Sequence, residues 1–149
     1  MELVRAVRYV TYEAAAETLR AGLAKAAELG VNVGIVVTDT LGEVVAAART
    51  DNAGPRTWRG GLMKATVAAS MGRTTREFIE GRLKGDEVLW RAMSANPDTF
   101  LVPGGAPLIY QGKSVGGVGV SGGHYDDDER VADAAAARFA ELAGAPENG

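Results

Sequence analysis

Residues 103–124 read PGGAPLIYQGKSVGGVGVSGGH and hold eight glycines together with the chain's only histidine. PLIY (107–110) and KSVGGVGVS (113–121) flank Gln111-Gly112, a spacing that predicts an antiparallel hairpin. Strand side chains alternate between faces, so Gly117, Gly119 and Ser121 share one side while Val118 and Val120 share the other. The valine side predicts packing against a helix. The bare side admits two readings: a helix or partner subunit lying close against it, or a smooth floor under a flat ligand.

Two nucleotide signatures in this stretch fail. Gly117-Val118-Gly119-Val120-Ser121-Gly122 matches G-x-G-x-x-G, but that fingerprint needs a following helix and then a second parallel strand carrying an acidic residue. The acidic run comes at once and no further strand follows it. Gly112-Lys113-Ser114 ends like a phosphate-binding loop, yet Pro107 occupies its first glycine and the segment is a turn.

Outward from the hairpin, the chain alternates helices with short strands. Thr11 predicts an N-cap for a helix over Tyr12 to Leu29, with Ala15, Leu19, Leu23 and Ala26 inward and Gly30 as the left-handed stop. Residues 4–10 read as a short strand or an extended lead-in. Val33 to Asp39 is a continuous apolar strand, and Glu43 to Arg49 returns beside it after the Leu41-Gly42 turn, an antiparallel pair. DNAGPRT (51–57) is a loop. Trp58 to Met71 is helical, interrupted by Gly60-Gly61, which costs about 1 kcal/mol per glycine and implies that a ligand or another backbone comes close. Thr75 is expected to cap a further helix that breaks near Gly85, resumes through Asp86 to Ser94 and stops at Asn96-Pro97. Asp126 to Leu142 forms the last helix, with Val131, Ala135, Phe139 and Leu142 inward and acidic residues in the first turn. The tail from Gly144 to Gly149 is expected to be disordered. Two hairpins exclude a parallel α/β sheet and predict an α+β domain spanning the 149 residues, with its core over about 11–142.

Composition narrows the function classes. The net charge of −3 gives no surplus of cations for nucleic acid or an anionic membrane. With no cysteine there is no disulfide, thiolate metal site or thiol nucleophile. The N-terminus lacks the apolar core of a signal peptide and no run is long enough to span a bilayer, so a cytoplasmic location is expected.

The order and spacing of AAELGV, of IVVTDTLGEVVAAARTD with its Arg49-x-Asp51, of MKATVAAS around Lys64, and of FLVPGGAPLIYQGKSVGGVGVSGG before an acidic helix start resemble the GlcG/HbpS family. This family also occurs as the C-terminal domain of PduO-type proteins and is called the haem-degrading domain family. The resemblance covers about residues 11 to 142. It implies a profilin-like fold, with five antiparallel strands flanked by helices, a homo-oligomer, and a pocket beside the Pro-Gly-Gly segment. Members are linked to haem binding and to cofactor-free small-molecule chemistry. The segment Gly123-His124-Tyr125-Asp126 departs from the family, which usually has small residues, Pro or Gln there, so no haem ligand is carried over to His124.

Several residues are candidates for chemistry. Lys64 reads either as solvent-exposed or as an ammonium reaching a cavity opened by Gly60 and Gly61; the resemblance, in which lysine recurs here, favours the cavity. There it binds a carboxylate or acts as a base. His124 is the one imidazole for proton transfer, with the Tyr125 phenol beside it. Gly104 and Gly105 offer amides to a carboxylate or oxyanion, or simply make a tight turn. Ser121 ends the bare strip. Arg49, Arg56 and Arg59 flank the loop before the glycine helix, where one could clamp a carboxylate. Asp39 is most simply a turn-former, carried also as a binding candidate. Asp126 to Glu129 read as favourable helix-end charges rather than as a metal site with His124, so no metal is expected.

The preferred expectation is a cofactor-independent lyase or isomerase on a small carboxylate- or carbonyl-bearing molecule. In it Lys64 binds or deprotonates, His124 relays a proton, and Gly104-Gly105 hold an oxyanion. The alternative is a haem- or tetrapyrrole-binding protein with a sensing or storage role. A third reading is an assembly partner with no ligand of its own.

Overall fold

The structure, a computed structural model, describes residues 1–144. Helix α1 (Tyr12–Leu29) starts where predicted, with the Thr11 side chain accepting from Ala14 N, and stops at Gly30 with φ of 68°. Strand β1 (Gly34–Thr38) is buried throughout, and β2 (Val44–Arg49) pairs with it antiparallel. Helix α2 (Thr57–Met71) follows. Helix α3 (Thr75–Phe78) is capped by Thr74 rather than Thr75, because Thr74 and Glu77 form a reciprocal capping box. A wide π-helical turn, Ile79–Leu83, leads to Gly85, whose φ of 90° makes the expected break, and α4 (Glu87–Ser94) is capped by Asp86.

The hairpin of β3 (Gly105–Tyr110) and β4 (Lys113–Ser121) turns at Gln111 and Gly112, both with positive φ. Helix α5 (Tyr125–Gly144) completes the described chain. It includes Gly144, which the sequence assigns to the tail; residues 145–149 of that tail lie outside the described residues.

The architecture is α+β: one antiparallel sheet in the order β2-β1-β4-β3, flanked by helices on both faces. It has four strands among the described residues, not the expected five. The lead-in before α1 is extended but does not pair as a strand. Its one ladder-like bond runs from Val10 N to Val115 O at 2.9 Å, using a residue skipped where the β3–β4 register shifts.

The two sheet faces are built differently. Ile35, Val37, Val118, Val120, Ala106 and Leu108 form the main apolar core with α1 and α5. Helix α2 covers the opposite face, where the expected bare strip lies. A Cβ on Gly117 would stand 2.3 Å from Ala65 O, and one on Gly119 would stand 1.9 Å from Gly61 O. Of the two readings of that strip, the close-lying helix is the observed one. Gly60 and Gly61 answer it from the helix side: a Cβ on Gly61 would come within 2.9 Å of Gly119 O, and one on Gly60 within 2.5 Å of the Ser121 hydroxyl.

Candidate functional site

Backbone contact along β4 leaves no floor for a ligand under α2; space opens only where the strip ends. At the N-terminal end of α2 a cleft of about 500 Å³ is lined by Arg56, Trp58, Arg59, Gly60, Met63, Phe100 and Ser121, among others. Its volume suits a small-molecule site. Trp58 is 40% exposed, and the Arg59 guanidinium lies 5.4 Å from its ring centroid. Neither Arg56 nor Arg59 forms an ion pair among the described residues. Asp98 is the one carboxylate in the lining, so cations outnumber anions here.

Lys64, one helical turn after Gly60, is buried, at 1% exposure. Its Nζ donates to Val120 O at 2.8 Å and to Asp128 Oδ2 at 2.9 Å, and lies 5.2 Å from the Phe100 ring centroid. The carboxylate that Lys64 holds is thus internal. Asp128, 2% exposed, accepts in turn from Gly123 N at 3.0 Å. Burial pushes the ammonium below its ordinary range and the carboxyl above its own, and each charge opposes the other's shift. The pair ties α2 to the start of α5 past the entry to β3. Gly104, with φ of 126°, allows this: a Cβ there would come within 2.9 Å of Nζ and 3.0 Å of the Asp128 Cβ.

The other candidates are dispersed. The Gly105 amide donates to Thr75 Oγ1 at 3.0 Å, and Gly104 O accepts from Val120 N at 2.8 Å. His124 is 58% exposed in its side chain, its Nδ1 accepts from Asp126 N, and its ring lies 4.1 Å from that of Tyr125. Asp39 Oδ1 accepts from Leu41 N and Glu43 N, a turn-former's bonds. Arg49 is exposed at the end of β2. Of the sequence candidates, the cleft brings together Arg56, Arg59 and Ser121. Lys64, His124, Gly104 and Gly105 are not among its lining residues. No group of three or more His, Cys, Asp or Glu among the described residues is arranged to hold a metal ion, and no described helix is long and apolar enough to cross a membrane.

Sequence reasoning missed four of the cleft residues used here, Trp58 as a wall, Met63, Asp98 and Phe100, and it missed Asp128 as the partner of Lys64. The last was readable. Asp128 precedes Val131, Ala135 and Phe139 at helical spacing, so it falls on the buried stripe of α5 rather than on its charged side. Trp58 and Phe100 come from segments far apart in the chain, and no local pattern joins them.

A family model described as "Haem degrading protein HbpS-like" matches residues 10–137. Among solved structures, an HbpS double mutant from Streptomyces reticuli shares 32% identity at a TM-score of 0.81, covering 90% of this chain and 89% of that one. The Klebsiella pneumoniae protein ORFY shares 28% at a TM-score of 0.84, covering 94% and 97%. A PduOC complex with haem has the same fold, at 24% identity and a TM-score of 0.77 over 87% and 94% of the two chains.

Proposed function

The chain belongs to the HbpS-like family of haem-degrading proteins, and from that premise we propose that it binds a haem-type tetrapyrrole in the cleft at the start of α2. The observation that carries this reading is the pairing of two uncompensated arginines with aromatic walls in one cleft. A haem is a flat apolar disc with two carboxylates on one edge. Arg56 and Arg59 would take the carboxylates through charge-assisted bonds, while Trp58 and Phe100 would cover the macrocycle and exclude water. Asp98 repels an anion and so directs the acidic edge toward the arginines. Met63 offers a thioether, the soft donor in this lining, and Ser121 a hydroxyl. Bound haem would supply a redox-active iron. The Lys64–Asp128 pair would hold α2, and with it Arg59 and Met63, in register with β4.

The cofactor-free lyase or isomerase reading has less support. Its base, Lys64, is engaged by Val120 O and Asp128, and its relay, His124, is solvent-exposed outside the cleft. Homo-oligomerisation belongs to the proposal as well. The edge strand β2 is open, with Val44 49% exposed, and such edges invite pairing.

Titration with haemin tests the reading. A Soret shift that saturates at equimolar haemin is expected, and Arg56→Ala/Arg59→Ala should weaken binding at least about 10–100-fold, the worth of one charged hydrogen bond. A titration without saturation would exclude the proposal.

A further inference from the structure

The opposite end of the sheet carries a second cleft, of about 630 Å³, between the lead-in and the β3–β4 turn. We propose that it is a binding site for the phosphate group of a small metabolite, independent of the cleft at α2. Arg5, Arg8 and Lys113 line it, and among the described residues none of the three is ion-paired and no Asp or Glu shares the lining. The three cations are exposed and repel one another only weakly through solvent, yet they share one concavity in a chain whose net charge is −3. A dianion relieves that repulsion better than a monocarboxylate does.

The site is built rather than incidental. Arg8 Nη1 donates to Gln111 Oε1 at 2.7 Å, which fixes the guanidinium beside the turn and leaves its other N–H groups for a ligand. The bond from Val10 N to Val115 O holds the lead-in against β4. Positive φ at Gln111 and Gly112 makes the tight turn that places Lys113 at the start of β4. Thr40 is also in the lining, but its hydroxyl is buried, away from the cleft surface, and is not counted among the groups that meet a ligand. Ser114 is not a free donor, since its hydroxyl is given to Ala69 O. A concave site of this size suits a small molecule, whereas nucleic acid is tracked by extended basic surfaces.

Independence follows from the geometry of β4. Its 9 residues separate Lys113 from Ser121, about 26 Å at strand rise. The two clefts share no lining residue.

Calorimetric titration with inorganic phosphate as the probe tests the site. Wild type should bind saturably, more weakly as sodium chloride is added. Arg5→Ala/Lys113→Ala, which changes two exposed side chains, should lose at least about 10-fold in affinity. Its haemin titration should match wild type. Absence of saturable binding at millimolar phosphate, or binding unchanged in the double variant, overturns the proposal. Citrate binding as tight as phosphate overturns the phosphate assignment. A wild type that takes phosphate but not haemin contradicts the reading of the α2 cleft and leaves this one standing.

Discussion

The two faces of the sheet solve the same packing problem in opposite ways. Toward α1 and α5, valines, isoleucine and leucine fill the space between layers, and stability there scales with apolar area removed from water. Toward α2, Gly119 lies against the backbone of Gly61 and Ala65, Gly117 against that of Ala65 and Ala69, and Gly34 against that of Thr57 and Trp58, so here the backbones themselves are in contact. The first face tolerates trimming because its atoms contribute in small increments. The second tolerates almost nothing, because one methyl occupies space already held by a carbonyl. The glycine face also carries the buried Lys64–Asp128 pair at its margin and opens into the α2 cleft where the strip ends at Ser121.

Substitutions that exchange the two solutions should break the comparison most severely. Gly119→Ala puts a methyl 1.9 Å from Gly61 O and 2.4 Å from Ala65 N. Its loss in chemical denaturation should reach the ~4–5 kcal/mol that marks exceptional single changes. A soluble variant of near wild-type stability would mean that α2 does not lie where it is described.

Lys64→Met should follow, at ~3–5 kcal/mol, by leaving the Asp128 carboxylate buried without its cation. Lys64→Met/Asp128→Leu should recover most of that loss, since an apolar pair replaces a desolvated ionic one. If the double variant is worse than either single one, the pair is stabilising in its own right. Titration sharpens the point. In Asp128→Asn, Lys64 keeps the burial that lowers its pKa and loses the partner that raises it. Between that depressed folded value and the ordinary 10.5, the unfolded chain binds more protons. Stability therefore rises with pH in that window, and the variant's deficit against wild type should shrink toward pH 10.5. A deficit that grows there would reverse the assignment. On the valine face, Ile35→Val should cost only ~0.5–1.5 kcal/mol, the smallest effect in the series.

Much of the fold was legible because local rules agree with the tertiary structure. Thr11, Gly30 and the spacing of Ala15 and Ala26 delimit α1 within the sequence itself. Gln111-Gly112 sets the hairpin. The resemblance implies five strands and four are present among the described residues; residues 4–10, which read as a strand or an extended lead-in, are the latter, because strand pairing depends on a partner edge and only Val10 reaches a ladder-like bond. The family was legible from motif order, and the match over residues 10–137 shows it. The site was legible only in part. Arg56 and Arg59 were picked out from their loop, but the glycine strip hid its meaning, since a bare strand face reads alike whether a ligand or a helix covers it. The burial of Asp128 was readable from its place on the inward stripe of α5, but its pairing with Lys64, 64 residues away, emerges only when α2 and α5 are brought together.

The central claim is that the ligand site lies at the start of α2 and not along the glycine strand. Amide chemical-shift mapping of the protein with zinc protoporphyrin, a diamagnetic stand-in for haem, tests it directly. The account predicts shifts concentrated at Thr57 to Met63, Asp98 to Phe100 and Ser121, with Lys113 to Val115 unmoved. Shifts centred on the β3–β4 turn, or spread evenly over the chain, would contradict it.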